Sequence, residues 1–97
     1  MNAPDEVIHQ STRLRITAAL NALRKGEALE FGEIKKMLSI TDGNMATHLT
    51  ALEGAGYVQV QKDFVGKKPR TRIALTAAGR KAFAAHVSYL RNLLESE

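Results

Sequence analysis

The sequence predicts a mainly α chain with one small β-hairpin, an α+β fold of element order α-α-α-β-β-α. Three observations carry this reading. Apolar residues recur at helical spacing through the first half of the chain. The period then switches to alternation in "YVQVQKDF" and again in "RTRIAL", with a glycine-containing loop between them. Helical spacing returns after Thr76 and holds to the end.

Residues 1–10 hold an early proline and mixed polarity, and are expected to form a loose arm ahead of one domain over residues 11–97. From Ser11, a candidate N-cap, Ile16, Leu20 and Leu23 fall at i, i+4, i+7 on an amphipathic helix. Arg24, Lys25 and Gly26 read as its basic last turn and glycine stop. In "LEFGEIKKMLSI", Phe31, Ile34 and Leu38 share one face of a short helix, with Lys35 and Lys36 pointing elsewhere. Thr41 is placed to cap a third helix, on which Met45, Leu49 and Leu52 form one stripe. Gly54 and Gly56 end that helix, the second suited to the left-handed conformation.

In the first strand Val58, Val60 and Phe64 share a face with Lys62, while Gln59, Gln61 and Asp63 share the other. In the second, Thr71, Ile73 and Leu75 oppose Arg70, Arg72 and Ala74, so both arginines are expected to project away from the core. Thr76 caps a last helix carrying Phe83, Val87, Leu90 and Leu94, with Leu93 and Tyr89 beside them.

Two helices joined by a tight turn and followed at once by a β-hairpin describe a winged helix-turn-helix. In that arrangement the second helix enters the DNA major groove and the hairpin reaches the flanking backbone or minor groove. The hairpin loop is also where positive charge concentrates, in Lys67, Lys68, Arg70 and Arg72. The run from "TDGN" through "HLTALEGAGY" to "GKKPRT" resembles the winged-helix DNA-binding domain of prokaryotic transcriptional regulators, near the MarR and ArsR groups, and the likeness extends from about Ile8 to Leu94. The resemblance implies a DNA-binding homodimer that regulates transcription. It implies neither an operator nor an effector.

A rotation of about 100° per residue sets Thr47 opposite the Met45–Leu49–Leu52 stripe, flanked by Asn44 and Ala51, with His48 at the edge. Asn44, Thr47 and His48 are therefore the candidates for base contact, since Asn can bond adenine bidentately and Thr offers a hydroxyl or a methyl. Asn44 could equally help Thr41 cap the helix, and His48 could be a packed edge residue. Gly43 would admit either a phosphate or the preceding helix. No Lys or Arg lies between Thr41 and Gly56, although related sequences often carry a basic residue near Thr47. Binding energy is then expected mainly from phosphates held by Lys67, Lys68, Arg70 and Arg72, with Lys35 and Lys36 as weaker backbone candidates.

On the last helix Phe83 is assigned to the core, and Val87, Leu90 and Leu94 to a dimer interface, because the stripe outruns what the domain can cover. The bulk properties agree with this reading. The 97 residues carry a formal charge of +4 and a pI near 9.7, which favours acidic partners. There is no cysteine, so disulfide, thiolate-metal and cysteine-nucleophile chemistry are excluded. No secretory signal or membrane-spanning run is recognisable, which makes the cytoplasm the expected location. His9, His48 and His86 are scattered and no catalytic motif occurs, so neither an enzyme nor a cofactor or metal site is expected. The competing reading is a winged helix used as a protein-interaction module, its hairpin docked on an acidic partner.

Overall fold

The computed structural model describes residues 3–96. In chain order these form α1 (Ser11–Asn21), β1 (Ala28–Glu30), α2 (Phe31–Leu38), α3 (Asp42–Gly54), β2 (Val58–Val65), β3 (Lys68–Leu75) and α4 (Ala77–Glu95). The expected architecture is present with one added strand. β1 pairs antiparallel with β3, Ala28↔Ala74, Leu29↔Ile73 and Glu30↔Arg72, so the sheet runs β1-β3-β2. Three residues are too few to show alternation, which is why this strand leaves no periodic signal. Its presence makes β3 central and explains why neighbouring Ile73 and Ala74 are both buried.

The core unites the apolar stripes of the first three helices with the base of the sheet. Ile16 and Leu20 meet Ile34 and Leu38, Met45, Leu49 and Leu52, and Val58, Ile73 and Leu75. Each large apolar side chain so buried contributes about 1.5–3 kcal/mol. Thr41 caps α3 as expected, its hydroxyl accepting from the Asn44 amide at 3.1 Å. Ser39, rather than a glycine, makes the left-handed turn after α2 at φ 55°.

Several terminal assignments differ from expectation. Gln10, not Ser11, caps α1, its side-chain oxygen accepting from the Arg13 amide at 2.9 Å. The same helix stops at Asn21, and Arg24 and Gly26 lie in a separate turn. There the Glu27 carboxylate accepts from the Arg24 amide, and Gly26 takes φ 87°. The arm is not loose where it is described. Ile8 is fully buried, and the Asp5 carboxylate accepts from the Val7 and Ile8 amides at 2.9 Å each. Residues 1 and 2 of the expected arm lie outside the described residues. On α4 the residues that face the body are Gly79 and His86, whereas Phe83, expected in the core, is half-buried.

A polar junction beside the core ties five segments together. Gly56, at φ 80°, turns the chain from α3 into β2. The Thr76 hydroxyl donates to the Gly56 carbonyl at 2.6 Å, the Thr76 amide donates to the Tyr57 carbonyl at 3.0 Å, and the Gly79 amide donates to the Thr76 hydroxyl at 2.9 Å. The Tyr57 hydroxyl donates to Asp5 at 2.6 Å, and the Asp5 amide donates to His86 Nδ1 at 3.2 Å. His86 is 1% exposed, stacked on Tyr89 with His9 at its edge. α4 passes so close to this turn that a Cβ on Gly79 would lie 2.0 Å from the Tyr57 carbonyl oxygen.

Two outcomes are expected. Gly79→Ala should cost about 1–3 kcal/mol in urea unfolding, the range for overpacking. Gly43→Ala, where a Cβ meets nothing within 4 Å, should instead stabilise by roughly 0.5–1 kcal/mol. The second outcome concerns acid. Burial pushes the His86 imidazole below its ordinary value, opposed by the Asp5 charge and reinforced by His9. Burial alone would raise Asp5, but the Tyr57 hydroxyl and the Ile8 and Val7 amides outweigh it and hold the carboxyl low. Both folded-state values are depressed, so both contributions are complete above the unfolded values. They are lost as pH falls, His86 first, below about 6.5, and Asp5 below about 4. Thermal midpoints should therefore drop between pH 7 and pH 5. His86→Gln, which keeps an acceptor but does not titrate, should flatten that drop.

Candidate nucleic-acid interface

The site is assembled by α3 on one side and the β2–β3 hairpin on the other. On α3 the core stripe leaves Gly43, Ala46, Thr47 and Thr50 fully outward, at i, i+3, i+4 and i+7. Asn44 and Thr47 are exposed as expected, but Ala51 is half-buried, and Ala46 and Thr50 take the place it was given. The face carries no cation, and Glu53, one turn beyond Thr50, is exposed on it.

The hydroxyls on this face are already engaged. Thr47 donates to the Gly43 carbonyl at 2.9 Å and Thr50 to the Ala46 carbonyl at 3.0 Å. Each threonine therefore presents its methyl and an acceptor lone pair outward rather than a free donor. Asn44 is different. Its main-chain amide is the group that Thr41 caps, and its side-chain amide has no partner among the described residues. The cap belongs to Thr41, and the Asn44 side chain stays available. Gly43 has open space beside it, so close packing of the preceding helix is not its reason.

His48 sits at the edge, half-buried, with Nδ1 3.3 Å from the Arg13 guanidinium. An arginine can only donate, so Nδ1 accepts and the ring proton lies on Nε2. Burial, followed by the Arg13 charge, holds this imidazole below its usual value and keeps it neutral near pH 7. Arg13 is itself oriented by the Val7 carbonyl, which receives its Nε–H. No local signal in the sequence pairs Arg13 with His48, because they stand 35 positions apart.

The hairpin closes through a two-residue turn, Gly66-Lys67, between the paired Val65 and Lys68. Only Gly66 takes positive φ, 63°, as a type II′ turn requires of its first central residue. The four wing cations do not form one equivalent set. Asp63 stands opposite Arg70 in the register and grips it bidentately, Nε to Oδ1 at 2.9 Å and Nη2 to Oδ2 at 2.7 Å. Arg72 adds a third bond to Asp63 at 3.2 Å. Both arginines do leave the core on the opposite face, but they end on a carboxylate. Hydrogen bonding from Arg70 is the main cause that keeps the Asp63 carboxyl below its usual range against its own desolvation. Lys67 and Lys68 are exposed and carry no salt bridge among the described residues.

The weaker backbone candidates divide in the same way. Lys35 is drawn to Asp42 at 2.6 Å, bridging α2 to the first turn of α3, while Lys36 is exposed. Between α3 and the wing lies a cleft of about 690 Å³. Ala46, Leu49 and Thr50 border it on the helix side, and Lys62, Lys68 and Thr71 on the sheet side. Among the described residues no group of three or more His, Cys, Asp or Glu could hold a metal ion, and no helix is long and apolar enough to cross a membrane.

Residues 12–94 match the family model of the winged helix DNA-binding domain. A protein of Methanocaldococcus jannaschii is 34% identical over 82 residues, which span 84% of this chain and 86% of its own. Among solved structures, a transcriptional regulator homologue from Pyrococcus horikoshii superposes with a TM-score of 0.84 at 27% identity, over 94% of this chain and 87% of that one. A MarR-family regulator from Porphyromonas gingivalis, 18% identical, shares the fold with a TM-score of 0.60 over the full length of both chains. The two solved structures are described as those of transcriptional regulators, not enzymes. With 83 consecutive residues (12–94) matched on four helices, a three-stranded sheet and a basic hairpin, this chain belongs to the winged helix DNA-binding domain family.

Proposed function

We propose that this chain is a transcriptional regulator that binds duplex DNA as a homodimer, with α3 in the major groove and the hairpin on the adjoining backbone. One observation carries the reading: the exposed face of α3 and the lysine-bearing hairpin flank a single open cleft, so one duplex can meet both. In this role Asn44 is the base-reading donor and acceptor, Thr47 offers its methyl to a thymine, and His48 offers Nε2–H at the groove edge. Lys67 and Lys68 take phosphates, with Lys36 as a further contact. Arg70 and Arg72 reach phosphate only by sharing or leaving Asp63, and Lys35 only by leaving Asp42. Gly43, with nothing beside it, lets a phosphate approach the N-terminus of α3.

The dimer reading rests on α4. Leu94 is 84% exposed and Leu93 56%, while Val87 and Leu90 are half-covered. That surplus apolar surface suits a second copy packed helix to helix. A regulator of this kind works where the chromosome is, in the cytoplasm of a prokaryotic cell. A groove helix without Lys or Arg also suits a protein partner, and salt separates the two readings.

Wild type should bind duplexes of unselected sequence with an affinity that falls steeply with salt. Each neutralised phosphate contributes a slope of about −0.9 in log K against log salt. Lys67→Ala with Lys68→Ala should weaken specific and unselected duplexes alike and make that slope shallower by about 0.9 for every phosphate no longer neutralised. A protein-interaction module would show no such salt-dependent retention of DNA.

A further inference from the structure

The hairpin leaves the body of the protein beyond the Asp63–Arg70 pair. All six residues from Phe64 to Pro69 are exposed, Phe64 to 69% and Val65 to 57%. An aromatic ring at the tip of a two-stranded ribbon contributes nothing to the core, and Phe64 is the most exposed aromatic residue described. In the register Phe64 faces Pro69, one step from the closing Val65↔Lys68 pair. Antiparallel pairs alternate, so Phe64↔Pro69 falls at a non-hydrogen-bonded position, where Pro69 forfeits no ladder bond and side chains approach most closely. Ring and pyrrolidine thus form one apolar wedge.

The wedge has a direction and a brace. Alternation puts Phe64 and Pro69 on the ribbon face that farther back carries Val58, Val60 and Ile73, and Pro69 borders the cleft between the hairpin and α3. Immediately behind it the Asp63 grip on Arg70 and Arg72 ties the strands together. The only charged side chains on the tip are Lys67 and Lys68, so the wedge is framed by cations alone. The same two features, a proline and lysines at a strand edge, discourage pairing with another hairpin.

Cationic charge around an apolar point calls for a polyanion with an apolar interior. We infer that Phe64, backed by Pro69, enters the DNA minor groove beside the α3 site and stacks on a partly opened base step, while Lys67 and Lys68 hold the phosphate ridges on either side. This rests on the duplex-binding reading and adds to it. The wing is a wedge that deforms DNA, and sites with flexible pyrimidine–purine steps are preferred through that deformation rather than through base-edge contacts.

The chain contains no tryptophan, so Phe64→Trp installs a single reporter at the wedge. Duplexes of unselected sequence should be titrated into this variant at low salt, with anisotropy of labelled DNA recording binding. The expected result is a loss of emission on binding, as for an aromatic ring stacked on bases. In parallel, wild type and Phe64→Trp should accelerate ligase closure of rings of about 120 bp, shorter than the persistence length of roughly 150 bp. Phe64→Ser should lose most of that acceleration while keeping the wild-type salt slope. Binding with unchanged emission, or ring closure unaffected by Phe64→Ser, overturns the wedge and leaves duplex binding standing. Absence of salt-sensitive binding by wild type overturns both. A blue shift that grows with protein concentration in the absence of DNA would show a second copy covering the ring, and would also overturn the wedge.

Discussion

The geometry of this protein depends on the turn at Gly56 and Tyr57. There the end of α3, the start of β2, the end of β3, the first turn of α4 and the N-terminal segment share one set of hydrogen bonds. The Tyr57 carbonyl accepts from the Thr76 amide while lying against Gly79, where no side chain fits. Because α3 and the hairpin leave this point in different directions, the junction sets the opening between α3 and the hairpin. It sets the direction of α4 at the same time. The angle at which a dimer would present two α3 helices is therefore determined by the same few bonds that set the reach of each wing.

Charge on the binding face is arranged more selectively than a net charge of +4 suggests. Asp63 engages two arginines and Asp42 engages Lys35, while Lys67 and Lys68 at the hairpin tip, Lys62 on the cleft and Lys36 carry no salt bridge among the described residues. An exposed ion pair contributes little to stability. The Asp63 cluster does more by holding two strands in register where the sheet has lost its third strand and the core has ended. On α3 the threonine hydroxyls bond their own helix, which leaves their methyl groups and the Asn44 side-chain amide exposed.

Much of this was legible in the residues. The stripes of Ile16 and Leu20, Ile34 and Leu38, and Met45, Leu49 and Leu52 are period signals, and each packs as its period requires. Thr41 and Thr76 were readable as caps because the donors they serve lie three residues on. What was not legible depended on partners far along the chain. β1 is three residues long and is a strand only because β3 lies beside it. The segment around Ile8 looks loose because its anchors, Tyr57 and His86, lie 52 and 81 positions from Asp5. For the same reason His86 rather than Phe83 is the large side chain that α4 buries. The Asp63 grip falls between these cases. Alternation put Asp63 and both arginines on one face, and only the two-residue turn, which sets the register, brings Asp63 opposite Arg70.

The proposed function requires α3 and the wing of each of two subunits to meet one duplex together. Hydroxyl-radical footprinting reports on this directly, using a genomic fragment that the purified protein retains from its own cell. Two symmetric patches of backbone protection are expected, centred about 10 bp apart or a multiple of that spacing. Each patch should extend outward across the minor groove reached by the wing. A single unsymmetric patch would contradict the dimer, and protection without the outer extension would contradict joint engagement of the wing. A retained fragment with no protected patch would contradict duplex recognition by α3 and the wing altogether.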